Sequence, residues 1–452
     1  MLNLALYGVP ALAALLPSWL AVALVPTLMV AQRLLLGEED KLSLGPLTLY
    51  PEDVLTTLLL AKWLISKARR PSAWEQSIFA VLGTWVTVNF LATLLAGVKF
   101  GEEHTLACLV SWARGVEEAA LVPIMAQAIR SMRQARAAIA VLSVFLGCLV
   151  VIQFVNFAGA STGFVIGEVQ GLEREEPRFF GPVGDSVGAV LLLGYLFCLC
   201  RWSIAAAAAC AGGIVLTAGL GAIFSMVLGT ILFLLACKHM TLPGTRSQRE
   251  LRFVAGLGAL SVAAVAFAEP MTTTLRDRLD GQHEESGSQR LATGRIATAM
   301  IGDNLLSGVG YMGFKLVVDR YGGGDYFDLS NPDGATANAN NQFLQSLADA
   351  GIPGLLCLIG LVYAAARLFH HAASRVHDPW VAPFFWAAML WLLAQMFGNL
   401  AATWLTPSAF VGRLLWISLG LALGVERVRA CSRVPEWNAS LRLVQGTGGS
   451  MS

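Results

Sequence analysis

Long uncharged runs recur along this chain and constrain its fold more than any other feature of the sequence. Residues 137–155, 385–397 and 414–425 contain no charged side chain. A helix needs about 20 mostly apolar residues to cross the hydrocarbon core of a bilayer, and such windows recur along the whole chain. Only 13% of the residues are charged, whereas a soluble domain carries about 25%. The sequence therefore predicts an integral membrane protein and excludes a soluble globular fold.

The connections between the apolar runs alternate between basic and acidic. The basic connections lie at residues 67–70, 130–136, 201, 238–252, 367–375 and 427–433, and the acidic or mixed ones at 38–40, 102–103, 168–178 and 269–341. Short loops rich in Lys and Arg stay in the cytoplasm, so the alternation predicts about twelve spans with a cytoplasmic C-terminus. Residues 2–36 are long for one span and short for two, which leaves the side of the N-terminus open. Residues 202–237 are predicted to form a helical hairpin that turns near Gly219.

The segment 269–341 is the longest polar stretch and is predicted to lie on the periplasmic side. Loops longer than about 15 residues usually carry function. Apolar residues recur with rough helical spacing in residues 291–306, and the glycines at 322–324 indicate a turn. The predicted fold is an all-α, polytopic bundle of about twelve transmembrane helices with a large, partly helical periplasmic loop. Its predicted parts are an N-terminal bundle (1–268), the loop (269–341), and C-terminal helices with a cytoplasmic tail (342–452).

Gly308, Gly310 and Gly313 spell the pattern G-x-G-x-x-G. A dinucleotide site needs a strand before this pattern, a helix after it and an acidic residue further on. A loop between membrane helices offers none of that context. The glycines instead favour a tight turn that returns the chain to the membrane.

Two other polar features have both a structural and a functional interpretation. Residues 340–354 place several amides and one carboxylate, Asp349, at the start of a helix that Gly and Pro then interrupt. An interfacial helix with a glycine stop explains this pattern as well as a functional site does. Arg178, at the mouth of the next span, either snorkels to the interface or binds phosphate oxygens through its guanidinium fork. The same two interpretations apply to Arg290 and Arg295.

Arg114, Glu117 and Glu118 form a charge cluster inside the mostly apolar segment 105–128. Ionisable groups at that depth are costly and indicate a functional site by default. Their spacing also allows Arg114 to pair with both glutamates on one helix face. The sequence favours this self-satisfied structural cluster.

Three pieces of the chain carry motifs in a fixed order around the long loop. They are Arg178 with Gly181 and Asp185; Thr293-Gly294-Arg295 followed by residues 304–310; and Asn341-Gln342-Phe343-Leu344-Gln345 followed by Leu347, Asp349, Gly351 and Gly354. Together they resemble the O-antigen ligase and O-antigen polymerase superfamily of bacterial surface-polysaccharide assembly. The resemblance covers residues 178–354 by motif and the whole chain by topology.

The chain departs from the family pattern at two positions. Asn340 stands where ligase-like members place a histidine, which removes the family's presumed general base. Leu220 stands in the hairpin where members often carry an arginine, which removes one cationic contact to the lipid diphosphate.

The resemblance implies transfer of a glycan from a polyprenyl diphosphate carrier to a sugar hydroxyl outside the cytoplasm. No cofactor is expected, and no metal-binding motif is visible in the sequence. The leaving diphosphate therefore needs preorganised cations, for which the candidates are Arg178, Arg290 and Arg295. Spacing to Gly308 does not separate Arg290 from Arg295.

The acceptor hydroxyl needs a group that orients it and one that takes its proton. The catalytic candidates are Asn340, Asn341, His283 and Asp333, with Glu284 and Asp328 as further bases and His104 as the other histidine on that side. An amide such as Asn340 can orient a hydroxyl but cannot accept its proton near neutral pH.

These observations favour a polymerase of undecaprenyl-diphosphate-linked repeat units in the bacterial inner membrane. The missing histidine distinguishes it from a ligase that transfers glycan to lipid A-core, which is the nearest competing function. A lipid-linked glycan transporter and a non-catalytic assembly partner compete with it from other classes of protein. The expected partners are the lipid-linked glycan, a sugar or lipid acceptor and membrane lipids, whereas no basic tract indicates nucleic acid. Whether a chain-length regulator binds stays open.

Overall fold

The computed structural model describes most of the chain, with gaps. The described residues are 2–36, 42–44, 47–49, 51–66, 71–159, 165–166, 168–170, 178–181, 186–217, 220–237, 240, 258, 284–323, 338–339, 341–398 and 410–446.

The described part of the chain is predominantly α-helical. The helices are α1 Leu2–Ala13, α2 Ser18–Leu36, α3 Pro51–Ile65, α4 Ala73–Phe100, α5 Glu102–Ala119, α6 Leu121–Ala128, α7 Met132–Gly159, α8 Val187–Arg201, α9 Ile204–Leu216, α10 Leu220–Ala236, α11 Glu284–Asp303, α12 Phe314–Val317, α13 Gln342–Arg375, α14 Val381–Gly398 and α15 Phe410–Gly446. A 3₁₀ turn covers Val318–Tyr321. Two short antiparallel hairpins, which an all-α prediction does not include, pair β1 Leu42–Leu44 with β2 Leu47–Leu49 and β3 Glu168–Gln170 with β4 Arg178–Gly181.

The membrane class is supported by the length and composition of the helices. Among the described residues, α4, α7 and α13 are long and apolar enough to cross a bilayer. Five shorter apolar helices accompany them: Ser18–Ala31, Val187–Arg201, Ile204–Leu216, Gly221–Ala236 and Val381–Met396. The count of about twelve spans stays a prediction.

Three local predictions can be compared with the helices. Residues 2–36 form two helices, α1 and α2, rather than one. Residues 202–237 form the expected pair of helices, α9 and α10, although Gly219 lies outside the described residues. The helix predicted at 291–306 is present as α11, Glu284–Asp303, so it both begins and ends earlier than predicted.

The buried apolar side chains form two clusters. The larger cluster joins helices from α1 to α15 in the bundle. The smaller one, which we name the loop core, lies around α11 and the start of α13. Its members are Ile296, Ala297, Met300, Val309, Phe314, Val317, Val318, Ala339 and Ala348, with Phe100, Ile301, Tyr321 and Leu344 packed against them. This segment therefore has a hydrophobic centre of its own, and the second and third family motifs lie on it.

Candidate functional site

The G-x-G-x-x-G segment docks on a break in α13. Ala350 and Gly351 have non-helical backbone angles in the middle of this helix. Two backbone N–H groups of the loop fill the place of the missing helical bonds: Val309 donates to the Ala348 carbonyl at 2.8 Å, and Gly310 donates to that of Asp349 at 2.9 Å. Two motifs that are separate in the sequence thus form one unit.

The glycines at this junction are required by close backbone approach. Gly308 has φ +66°, and a Cβ there would lie 2.2 Å from the Asp349 carbonyl oxygen. Gly351 has φ +64°, and its Cβ would lie 2.6 Å from the Leu306 carbonyl carbon. Both the positive φ and the contact exclude a larger side chain. The glycine pattern therefore serves backbone packing, in agreement with rejection of the dinucleotide interpretation.

Asp349 fastens the docked loop to the helix with its side chain. Its carboxylate accepts from both the Met312 and Phe314 backbone N–H groups and from the Gln345 amide at 2.9 Å. The Gln345 oxygen in turn accepts from the Ala339 N–H at 2.8 Å. A buried carboxylate is tolerated when donors surround it in this way. Asp349 and Gln345 of the third motif therefore hold the G-x-G-x-x-G loop in place.

Asn341 caps the N-terminus of α13. Its side-chain oxygen accepts from the backbone N–H groups of Phe343 at 2.9 Å and Leu344 at 3.0 Å. This is the preferred chemistry for an N-cap residue. Asn341, which opens the third family motif, therefore has a structural role in addition to any role toward substrate.

Arg295 lies on the exposed face of α11 and lines an open groove of about 670 Å³. The other lining residues are Leu291, Gly294, Thr298, Ala299 and Leu344. The groove thus combines one cation with an apolar rim, next to the first turn of the capped helix α13. Of the three arginines predicted to bind the diphosphate, Arg295 is the one whose side chain the structure describes, and it is exposed.

The other predicted site residues lie where less can be said. Arg178 falls in β4 and Arg290 and Glu284 in α11, but their side chains are outside the described part of the structure. Asn340, His283, Asp328 and Asp333 lie outside the described residues altogether. The proposed diphosphate contacts of Arg178 and Arg290 and the choice of general base therefore remain predictions.

The intramembrane charges belong to a larger cluster that joins three helices. At its centre is Arg413 of α15, which is 3% exposed. Its guanidinium lies 3.2 Å from a carboxylate oxygen of Glu52, 3.5 Å from Asp53 and 3.2 Å from Glu118. Arg114 lies 3.9 Å from Asp53. These ion pairs run between helices. The pairing of Arg114 with Glu117 and Glu118 on one face of α5, which the sequence favoured, stays a prediction.

Arg413 and its partners in α3 were not singled out from the sequence. Arg413 is a single charge directly before the uncharged run 414–425, and Glu52-Asp53 directly precedes another apolar run. A charge that borders a predicted span is usually assigned to the interface, and only the bundle brings these charges together. The cluster is best explained as a structural connection between α3, α5 and α15, since a buried charge needs such partners.

A narrow cavity of about 20 Å³ lies beside the docked loop. Amides and aromatic rings line it, among them Trp85, Asn89, Tyr311, Gln342, Gln345 and Trp416. Trp85 lies edge-on to Tyr311 at 5.7 Å and 6.0 Å from Trp416, measured between ring centroids. The cavity is about the size of one water molecule, so in this conformation it is not a sugar site.

The described residues form a helical protein with helices long and apolar enough to cross a membrane, and its polar segment folds against a broken helix. Comparison with known families identifies the segment. Residues 205–359 match the family described as O-antigen ligase. The segment is thus similar to the O-antigen ligase family, and the match supports the resemblance found in the motifs. No curated protein matches the chain.

The match extends from α9 through the hairpin, α11 and the docked loop to the part of α13 beyond its break. It supports an enzyme of the ligase or polymerase type in polysaccharide assembly, with lipid-linked glycans as the general class of substrate. The apolar helices and this family together indicate a membrane protein.

Proposed function

We propose that the protein polymerises polyprenyl-diphosphate-linked oligosaccharide repeat units on the periplasmic face of the bacterial inner membrane. In this reaction the bond between the anomeric carbon and the diphosphate oxygen breaks, and a bond forms from that carbon to an acceptor sugar hydroxyl. The polyprenyl diphosphate leaves, and the acceptor hydroxyl loses its proton. The proposal needs no metal, because cationic side chains stabilise the leaving diphosphate.

The observation that carries this proposal is the position of Arg295 within the family-matched segment. Arg295 is exposed and lines an open groove whose other lining residues are largely apolar. A guanidinium fork matches phosphate oxygens, and an apolar rim suits a lipid-linked substrate. Arg295 is therefore the first cation to test, and Arg290, which the motif spacing could not separate from it, stays a candidate.

The polymerase is preferred over the ligase because of Asn340. A ligase-like member places a histidine at this position, and an asparagine cannot replace it as a base. His283, Glu284, Asp328 and Asp333 remain the candidate proton acceptors. A ligase is the second candidate, since the matched family is described by that activity. A gain of ligase activity in Asn340→His would favour it.

The experiment uses purified protein in nanodiscs and a polyprenyl-diphosphate-linked repeat unit, with product length read by gel and mass spectrometry. We expect the native protein to lengthen the product, and Arg295→Ala to reduce the rate by about 10²–10³-fold, as loss of a charge-stabilising group does. Arg178→Ala and Arg290→Ala are tested separately. Arg133→Ala is the control, because Arg133 is exposed and lies in a predicted cytoplasmic connection.

Two results would contradict the proposal. Substrate that the native protein leaves unchanged would exclude the polymerase and favour the transporter or the non-catalytic partner. Transfer of a finished glycan to a lipid acceptor without lengthening would identify a ligase.

A further inference from the structure

Two cations converge on the aromatic ring at the end of α4. The Lys99 ammonium lies 5.5 Å from the centroid of the Phe100 ring, and the Arg320 guanidinium carbon lies 5.0 Å from it. Phe100 itself packs against the loop core. Lys99 and Arg320, which are 221 positions apart in the chain, are therefore held around one ring. Neither belongs to the three motifs, although Arg320 lies within the family-matched segment.

The Lys99 ammonium is oriented by an amide. It donates to the Asn304 side-chain oxygen at 2.8 Å. That amide cannot turn freely, because its nitrogen donates to the Met300 carbonyl at 2.9 Å and to the Tyr321 hydroxyl at 3.1 Å. An ammonium carries three donors, so Lys99 retains two for another acceptor.

Neither cation is neutralised by the described protein. Asp303, Asp319, Glu102 and Glu103 are close in sequence, yet no ion pair joins any described carboxylate to Lys99 or Arg320. The Arg320 guanidinium carbon lies 5.0 Å from the Phe100 ring centroid, and a guanidinium carries five N–H donors. Lys99 and Arg320 thus place two positive charges around the Phe100 ring, and no described carboxylate pairs with either of them. Two such cations provide the charge-assisted donors that bind an anion with several oxygens.

The positive charge of Arg320 also acts on His104, which lies beside Phe100. The His104 ring lies 4.9 Å from the Phe100 ring, and its Nε2 is 2.6 Å from the Val309 carbonyl oxygen. Burial lowers the pKa of His104, the bond to Val309 opposes that effect, and the Arg320 charge lowers it further. A neutral His104 donates to Val309 and anchors the docked loop beside the two cations.

The location of the pair restricts the kind of anion. Phe100 is the last residue of α4, which is long and apolar enough to span the membrane. A helix that spans a bilayer ends where hydrocarbon gives way to the headgroup region, and the proposed function assigns the Phe100 ring to that level. The diphosphate of a polyprenyl carrier lies at this level, with its charge in the headgroup region and its chain in the hydrocarbon.

We infer that Lys99 and Arg320, oriented by Asn304 and Phe100, form a binding site for a diphosphate group. This inference deepens the proposed function and rests on it for the identity of the carrier lipid. The site adds two cations that the sequence did not indicate to those predicted at Arg178, Arg290 and Arg295.

The experiment measures binding alone, without turnover. Full-length protein in detergent is titrated with farnesyl diphosphate, a short soluble polyprenyl diphosphate, and separately with inorganic pyrophosphate. We expect Lys99→Gln and Arg320→Gln each to weaken farnesyl diphosphate binding by at least about 10-fold, as loss of one charge-assisted contact does. The double variant should weaken it further.

Two further variants separate a built site from a diffuse positive surface. Lys315→Gln is the matched control, because Lys315 is exposed in the same segment without stacking on Phe100. It should leave the affinity within about two-fold of that of the native protein. Lys99→Arg preserves the charge and should retain binding, which excludes misfolding as the reason for the loss in Lys99→Gln.

The arms of the experiment identify the source of the diphosphate. Tighter binding of farnesyl diphosphate than of pyrophosphate supports a lipid-linked diphosphate, and equal binding supports a free one. Equal weakening by Lys315→Gln, or equal competition by phosphatidylglycerol, overturns the site as a general electrostatic effect. A native protein that binds farnesyl diphosphate through these residues but forms no polymer would retain this site while the proposed function fails.

Discussion

Asn341 illustrates how a single motif residue can be read both as catalytic and as structural. It was a catalytic candidate because it opens the third family motif. In the structure its side-chain oxygen accepts two backbone N–H groups at the start of α13. That oxygen is occupied, so only the amide nitrogen could orient a substrate hydroxyl.

Substitutions at Asn341 separate these two roles. Asn341→Ser keeps a capping oxygen, so we expect stability and activity close to those of the native protein. Asn341→Ala removes the cap and should lower the stability by about 0.5–2 kcal/mol. Thermal unfolding and polymer length, measured on both variants, test this. Loss of activity in Asn341→Ser at native stability would instead show that the amide acts on the substrate.

At the scale of elements, the site depends on contacts between helices that are distant in the chain. The docked loop contacts α4 because Tyr311 donates through its backbone N–H to the Thr93 hydroxyl at 3.1 Å. It also contacts α5, where the Tyr311 hydroxyl packs closely against Gly115. A Cβ added at Gly115 would lie 2.8 Å from the Tyr311 hydroxyl oxygen. Arg413 connects α15 to α3 and α5 through its ion pairs.

Arg413→Ala should destabilise the bundle strongly. It leaves Glu52, Asp53 and Glu118 buried without their central cation, and removal of one partner from a buried ion pair costs about 3–5 kcal/mol. The measurement is thermal or denaturant unfolding in detergent.

Two controls accompany the Arg413 measurement. Arg133→Ala removes an exposed arginine and should change stability by no more than about 0.5 kcal/mol. Adding Glu118→Gln to Arg413→Ala should recover part of the loss, because one uncompensated charge is removed. A native unfolding curve for Arg413→Ala would show that the cluster carries no stability.

At the scale of the whole molecule, the predicted topology assigns the loop core and the basic connections to opposite sides of the membrane. The alternation of basic and acidic connections predicts the α11 groove outside and Arg133 inside. The proposed reaction depends on this orientation, because the lipid-linked donor is used outside the cytoplasm.

Labelling with a membrane-impermeant maleimide tests the orientation. We expect Thr298→Cys, which is exposed in the groove, to be labelled in spheroplasts above the level of the parent protein. Arg133→Cys should be labelled only after the membrane is permeabilised. The reverse pattern would place the groove in the cytoplasm and exclude the proposed periplasmic reaction.

Features that depend on neighbouring residues in the chain could be predicted from the sequence. The uncharged runs determined the membrane class, and the two-helix hairpin at 202–237 and the helix within the polar segment followed from local patterns. The ordered motifs indicated a resemblance to the superfamily, and the match to residues 205–359 supports it. Hydrophobicity and helical spacing act over a few turns, so one stretch of sequence is enough to reveal them.

Only the tertiary structure decided which distant side chains meet. The partners of Arg413, the glycine contacts between the loop and the break in α13, and the meeting of Lys99 and Arg320 on Phe100 join residues from separate elements. Such contacts depend on how the helices pack, and no local preference encodes that. The sequence by itself determined what kind of protein this is, while packing decided which charges become buried partners and which remain available to bind an anion.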